Sequence, residues 1–476
     1  MGGNIVKSPY YEFFVLEKEM MLFSLEFQGI NYWQLIRFGL LKKITTNNLH
    51  VVSNRGSRNL NKEIVGVFKE AARMKREFTK DSSADIIQLR PCVTILDNGQ
   101  LDDHQFDYIE LKDKYRVVDL YALGDYMYVQ PCVEYDMALA EKDLVIWKIK
   151  RKIFGEPTIP EEQQKVLRVF LTQINQIYNT HFMIEELLPN IQYIIKSHII
   201  YKRNYLKLFQ KLCPKIIMEY PHYDEHMFAA NAAAKELGIK IIEMQHGRIN
   251  AHEGYWYEDQ SLEGKILPDY FLTYGQWWKN QINLPQFCKV EVVGNPYLDR
   301  QIELYPRKKR DNMVLSVFSN PQNGKVLSEF IFSIQNYCIE HNIKILYKLH
   351  PNEKKVWKEE YPLLLQMKNT TIFESGSVYS ILAESDAAIG INSTVFFEAL
   401  AYKDIRLFIY TNGEYEGMKP LIENDMAITI DTSDDFIRHL DNLKNTKVQK
   451  NEIGNTMWEN NAKKNTENKI MELMRN

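Results

Sequence analysis

Cysteine is scarce and unpaired in this chain. The 476 residues hold five, Cys92, Cys132, Cys213, Cys288 and Cys338, with no C-x-x-C spacing among them. That excludes a disulfide framework and a cysteine-built structural zinc, and it fits thiols kept reduced in the cytoplasm. Long apolar runs are missing as well. No stretch reaches the about 18 uninterrupted apolar residues a membrane-spanning helix needs. The start, "MGGNIVKSPYYEFF", lacks a basic region followed by an apolar one, so no signal peptide is expected. A charge excess is absent too: Lys+Arg 59 against Asp+Glu 62 argues against a nucleic-acid partner. There is no internal repeat and no low-complexity tract.

What remains is an ordinary globular composition in a chain too long for one core, so two domains are expected. The first two hundred residues carry an aromatic stretch, "MMLFSLEFQGINYWQLIRFGLLKKI", and a β-type run, "DIIQLRPCVTIL", closed by the turn signal Asp97-Asn98-Gly99. Helical patterns start at Pro160. From "PKIIMEYP" onward the signal sharpens. That buried strand is followed by "YDEHMFAANAAAKELGI", a helix with Asp224 at its start and Gly238 beyond its end, and then by "KIIEMQHG". Strand, helix and strand at this spacing form a βαβ unit with parallel strands. "DYFLTYGQWWKNQI" and "KVEVVGNPYLD" repeat the alternation.

The polar, basic segment Gln301 to Asn312 reads as a linker, after which alternation restarts at "MVLSVFSNP" and continues through "IKILYKLHP", "AAIGIN" and "IRLFIY". The expected division is 1–305 for an N-terminal acceptor-side Rossmann-like domain and 306–445 for a nucleotide-donor domain. A tail, 446–476, is expected to return to the N-terminal domain.

Ligands of open parallel sheets bind at the carboxyl ends of the strands. Lys348, His350 and Pro351 follow one such strand, Ser319 and Asn320 another, and Ser393 and Thr394 a third. Hydroxyls opening a helix suit a phosphate, His350 can donate to the same phosphate, and Pro351 fixes the loop. Glu398, four residues beyond Thr394, lies on the same helix face, in reach of a ribose. Taken singly, Asn392 or Ser393 is an N-cap, His350 a hydrogen-bonded strand-end histidine and Glu398 a solvated residue. Together they favour a phosphate site.

Lys348-x-His350-Pro351 followed by Ser393-Thr394-x-x-x-Glu398 resembles the HP and S/T motifs of bacterial sialyltransferases and polysialyltransferases, which belong to the GT-B glycosyltransferases of surface-polysaccharide assembly. "EMQHGRINAHEGYW", "PDYFLTYGQWW" and "VVGNPYLD" resemble segments of the CDP-glycerol glycerophosphotransferases and capsule Kdo-transferases. The resemblance spans Lys215 to Asp431. It implies an α/β GT-B fold, two Rossmann-like domains facing across a cleft, with the HP and S/T residues on the donor's phosphate. It also implies an inverting, metal-independent transferase that needs no cofactor. The co-substrate would be a nucleotide-activated sugar of the CMP-sialic acid or Kdo type, and the acceptor a glycan or lipid-linked chain. The acidic-acidic-glycine motif that supplies the base in sialyltransferases has no match; Asp97-Asn98-Gly99 and His252-Glu253-Gly254 come nearest.

The base is therefore open. His246, at a strand end with Gly247 behind it, is either that base or a structural histidine ordering the loop Arg248 to Gly264. Glu253 and Asp224 are weaker candidates. His222 and His226 have the spacing of a metal pair but no third ligand, so no metal is expected. The basic, aromatic stretches "YWQLIRFGLLKK", "WKIKRKIFG" and "YKRNYLK" suit either the inner membrane surface or solvated lysines over a packed core. Alternatives to transfer are a CDP-polyol phosphotransferase, a UDP-sugar 2-epimerase-like enzyme and a non-catalytic GT-B binding subunit.

Overall fold

Runs of Ile, Val, Leu and Phe bounded by Gly, Pro and Asn become two six-stranded sheets, each with every strand parallel to its neighbours. The computed structural model describes residues 10–46, 83–91, 94–95, 101–121, 144, 146–147, 157–249, 254–308, 311–402, 404–443 and 454–475. The turn Asp97-Asn98-Gly99, the residues His252 and Glu253, and the lysines of "WKIKRKIFG" lie outside them. The chain divides into two compact units. Unit 1 runs to Thr273 and adds Trp278–Val293 and the segment from Lys463; unit 2 is Tyr274–Trp277 with Gly294–Ala462.

The sheet of unit 1 contains β1 (Ile86–Arg90), β2 (Val117–Tyr121), β3 (Ile216–Glu219), β4 (Lys240–Met244), β5 (Tyr270–Thr273) and β6 (Lys289–Val292), in the order β6-β5-β4-β3-β1-β2. Its described helices include α1 (Tyr11–Glu19), α2 (Tyr32–Thr46), α3 (Glu161–Tyr178), α4 (Ile184–Leu212) and α5 (Glu225–Glu236). As expected from the sequence, α5 is the crossover between β3 and β4, and it stops at Gly238, whose φ of 69° a side chain would disfavour. Ala229, Ala230, Ala233 and Ala234 let α5 lie close against Tyr201, Tyr205 and Phe209 of α4.

In two of the aromatic, basic stretches the aromatic side chains face inward, while Lys42, Arg203 and Lys207 are exposed. Tyr32, Trp33 and Ile36 of α2 are buried, as are Tyr201 and Tyr205. The buried Arg37 pairs with Glu17 of α1 at 2.6 Å and donates to Trp256 O at 2.8 Å. Among the described residues, no helix is long and apolar enough to cross a membrane.

Unit 2 contains β7 (Val314–Phe318), β8 (Lys344–Lys348), β9 (Thr370–Phe373), β10 (Ala387–Gly390), β11 (Arg406–Tyr410) and β12 (Ile428–Ile430), in the order β9-β8-β7-β10-β11-β12. This is the doubly wound order, with its reversal between β7 and β10. Helices α6 (Pro296–Leu304), α7 (Gly324–Ser333), α8 (Val395–Ala399) and α9 (Ser433–Leu443) belong to it. Both units are thus Rossmann-like α/β domains, the type the GT-B resemblance implies. Just after α6, the Arg307 guanidinium donates to the carbonyls of Leu382, Ala383 and Ser385. The last helix, α10 (Ala462–Arg475), puts Ile470 and Leu473 into the core formed by Ile86, Met218, Ile242 and Leu272 of unit 1.

His198 of α4 is buried, and the loss of water, with Lys202 adding to it, pulls its pKa from 6.5 to about 4. The unfolded chain takes up this proton near its ordinary pKa and the folded chain resists it. Stability is therefore intact above about pH 6.5 and is lost as pH falls toward 4, by up to about 3 kcal/mol from this group. Urea unfolding on both sides of this window should show that His198→Leu loses less stability on acidification than the parent. Equal losses would remove His198 as the source.

Candidate functional site

In unit 2, Lys348, Phe318 and Gly390 are register partners across β8, β7 and β10. Three loops therefore leave one edge of the sheet within roughly 10 Å, two interstrand spacings. Gly390 has to be glycine, because a Cβ there would sit 2.8 Å from Phe318 O and 2.9 Å from the Phe396 ring.

The second of these loops is the most tightly specified. His350 is the N-cap of a single 3₁₀ turn, Pro351–Glu353. Its Nδ1 accepts from Asn352 N–H at 3.2 Å, and its own N–H donates to Glu353 Oε2 at 2.6 Å. This is a capping box with histidine in the place of serine or threonine. Since Nδ1 accepts, the neutral ring carries its proton on Nε2, which becomes a donor. Pro351 stands where an N–H is not needed. Lys348 is buried, and its ammonium donates to Leu349 O at 2.8 Å. Burial lowers its pKa, and Lys354 adds to this.

Glu353 holds the loops together. Its carboxylate is 1% exposed and accepts from Ser319 Oγ at 2.8 Å, from Tyr361 OH at 2.9 Å and from His350 N–H. Gly324 leaves the room, since a Cβ there would lie 2.4 Å from Glu353 Oε1. Ser319 is thus engaged with Glu353. Asn320 ties the first loop to the third: Nδ2 donates to Asn392 O at 2.7 Å and Oδ1 accepts from Asn323 N–H at 3.0 Å.

Ser393 and Thr394 behave differently. Thr394 is the N-cap of α8, with φ −62° and ψ −22°, and its side chain makes no capping bond. Among the described residues, neither hydroxyl has a hydrogen-bond partner. The cap use that such residues most often serve is not their use here. The helix expected over "STVFFEALAYK" is only Val395–Ala399 followed by a 3₁₀ turn, Leu400–Tyr402, so a macrodipole adds little. Glu398 is half-buried; burial raises its pKa and a hydrogen bond from Tyr379 opposes the rise.

In unit 1 the sequence candidates separate. Asp224 caps α5, accepting from His226 N–H at 2.8 Å. His222 precedes the helix and pairs with Glu243 at 2.7 Å, both fully buried, while the His226 ring packs 4.1 Å from Tyr201. His246 follows β4, half-buried, stacked 5.9 Å from the Tyr220 ring. Its Nε2 lies 3.3 Å from Tyr223 OH and its Nδ1 3.4 Å from Tyr255 OH. Burial pushes its pKa below 6.5; Glu243 opposes this and His222 adds to it. The imidazole is neutral near pH 7 and can accept a proton. Glu243 and Glu219 are direct register partners on β4 and β3, both fully buried. Burial, then Glu243, pushes Glu219 well above the carboxylate range.

Sequence patterns passed over Glu353, Glu243, Tyr255 and Tyr361. Two of them had a signal: Glu353 stands three residues after His350 as in a capping box, and Glu243 interrupts an otherwise apolar strand.

No protein-family model matches the chain, and no curated protein matches its sequence. Several solved structures are similar at low identity. One is a UDP-GlcNAc 2-epimerase from Methanocaldococcus jannaschii, at 16% identity and TM-score 0.42, over 59% of this chain and 82% of that one. Another is the UDP-GlcNAc 2-epimerase from Neisseria meningitidis bound to UDP-GlcNAc, at 15% and 0.42, over 65% and 89%. A glycosyltransferase from Rickettsia africae ESF-5 is similar at 12% and 0.34, over 58% and 78%. Likeness at these scores says nothing of chemistry.

Replacing Glu353 by alanine strands three donors in the core of unit 2. At about 1–3 kcal/mol for each unsatisfied group, the loss should exceed about 3 kcal/mol, and Glu353→Gln, which keeps one acceptor oxygen, should lose less. Chemical denaturation of the three proteins checks the order.

Proposed function

We propose that this protein is a nucleotide-sugar enzyme whose unit 2 holds the nucleotide phosphate and whose His246 takes a proton from the second substrate. The observation that carries the proposal is the pair of hydroxyls on Ser393 and Thr394. They stand uncapped at the topological reversal of the sheet, two strands from a histidine whose Nε2 is left as a donor. Free donors at that edge suit a phosphate. Glu398 is assigned to the ribose from its place one turn beyond Thr394, with Tyr379 holding its carboxylate. Ser319 and Asn320 shape the loops, since their polar atoms are engaged within the protein, whereas Lys348 spends one of its three N–H groups on Leu349 O and can offer the others to the phosphate.

In sugar transfer, an acceptor hydroxyl gives its proton to His246 and attacks the anomeric carbon. The bond from that carbon to the phosphate oxygen breaks, and the electron pair leaves with the nucleotide. His350 Nε2–H and the two hydroxyls offset the charge developing on the phosphate. A donor of the CMP-sialic acid or Kdo type and a glycan or lipid-linked acceptor follow from the motif resemblance. A neutral histidine would serve equally well to remove a carbon-bound proton. Interconversion of a free UDP-sugar is therefore the rival outcome, detected by incubating the protein with UDP-GlcNAc and no acceptor.

The nucleotide is identified by thermal shift against CMP, CDP, UDP and GDP. At one hundred times its dissociation constant a ligand stabilises by about 2.7 kcal/mol. His350→Ala, and Ser393→Ala combined with Thr394→Val, should weaken the preferred nucleotide in proteins that stay folded. No stabilisation by any of the four, or unchanged affinity in both variants, would sink the assignment.

Base and phosphate holders should fail differently. His246→Ala should keep nucleotide affinity and cut turnover by about 10²–10⁴-fold. Loss of affinity with turnover intact at saturation would move His246 to the donor site.

A further inference from the structure

A histidine accepts a proton only through the ring nitrogen that lacks one. Around His246, the surrounding phenols and one carboxylate decide which nitrogen that is. The fully buried carboxylate of Glu243 receives three donors: Tyr255 OH at 2.9 Å, His222 Nδ1 at 2.7 Å and His222 N–H at 3.1 Å. Tyr255 has one proton, and it is spent on Glu243. Toward His246 Nδ1, at 3.4 Å, the same oxygen presents only lone pairs. A bare Nδ1 would set lone pair against lone pair there, whereas an Nδ1–H completes the chain. Nε2 is then bare, and Tyr223 OH, 3.3 Å away and also within hydrogen-bond reach of the Tyr255 hydroxyl, can donate to it.

We propose that Glu243, acting through Tyr255, holds His246 as its Nδ1–H tautomer and so makes Nε2 the proton acceptor. Tyr255 and Glu243 are positioning residues, and the inference rests on the role given to His246 above. When a substrate O–H breaks and its proton bonds to Nε2, the ring becomes a cation. Its Nδ1–H then faces a tyrosine oxygen whose own proton is held by the Glu243 carboxylate, which stabilises that charge without a second proton transfer. Tyr255 keeps its proton throughout, because burial and then Glu243 push its pKa well above 10. Before the substrate arrives, the Tyr223 hydroxyl occupies the place at Nε2 that the reacting hydroxyl takes over.

The tautomer can be observed without any substrate. The full-length protein is labelled with ¹⁵N in its histidine rings, and His246→Gln identifies the His246 signals. Two-bond ¹H–¹⁵N correlations should show a protonated Nδ1 and a bare Nε2 at neutral pH. In Tyr255→Phe that preference should collapse to a mixture or reverse, while stabilisation by the preferred nucleotide is retained. A protonated Nε2 in the parent would overturn the proposal, because Tyr223 would then be donating to Tyr255 instead. A pure Nδ1–H form in a folded Tyr255→Phe would overturn it as well. The nucleotide screen fails or succeeds independently, so loss of this inference leaves the unit 2 assignment standing, and the reverse.

Discussion

A carboxylate cut off from water must be surrounded by donors, and each unit places one such carboxylate beside its candidate histidine. Glu353 is 1% exposed and Glu243 fully buried. Each accepts from a tyrosine hydroxyl and a backbone N–H, with a third donor completing the set. Neither carboxylate is placed to act on a substrate itself. Each is a fixed hydrogen-bond acceptor that dictates where nearby protons point. Glu353 closes the capping box that leaves His350 with Nε2 as a donor. Glu243 orients Tyr255 at His246. In the roles proposed above, one histidine gives a hydrogen bond and the other takes a proton, beside the same kind of anchor.

Topology decides where these anchors matter. In a parallel sheet all strands deliver their loops to one edge, and the reversal of strand order opens that edge between β7 and β10. The loops after β7 and β10 are stitched by Asn320 across to the Asn392 carbonyl, and the loops after β7 and β8 by Ser319 onto Glu353. What is left over, Ser393 and Thr394, is polar, without a hydrogen-bond partner among the described residues, and held on a braced frame. Such preorganisation lowers the cost of gathering donors around an anion.

Much of the fold was legible in the sequence because buried parallel strands are written as short apolar runs, such as "KIIEM" and "AAIG". Thr370–Phe373 and Ile428–Ile430 were not legible. They are edge strands of four and three residues, and a strand with one open side needs no apolar run. The apolar-periodic stretch "LSEFIFSIQNYCIEHN" reads as one helix but is two, Gly324–Ser333 and Gln335–Glu340, with a break at Ile334 that periodicity does not register. Of the candidate site, His350, Ser393 and Thr394 could be picked out because they follow strands directly. The bond from Ser319 to Glu353 joins positions 34 apart, and no local pattern encodes it. Tyr223 and Tyr255 reach His246 from two different loops, which only tertiary packing brings together.

The placement of α10 has a consequence for how this protein is made. Ile470 and Leu473 fill the core beneath β1, β3, β4 and β5, although those strands leave the ribosome some two hundred residues or more earlier. Domains synthesised first commonly fold first. Here the earlier unit has to wait with an open apolar face while all of unit 2 is translated. Its core is complete only once α10 has been made. A chain interrupted before α10 would carry all the strands of unit 2 together with an unfinished unit 1 core.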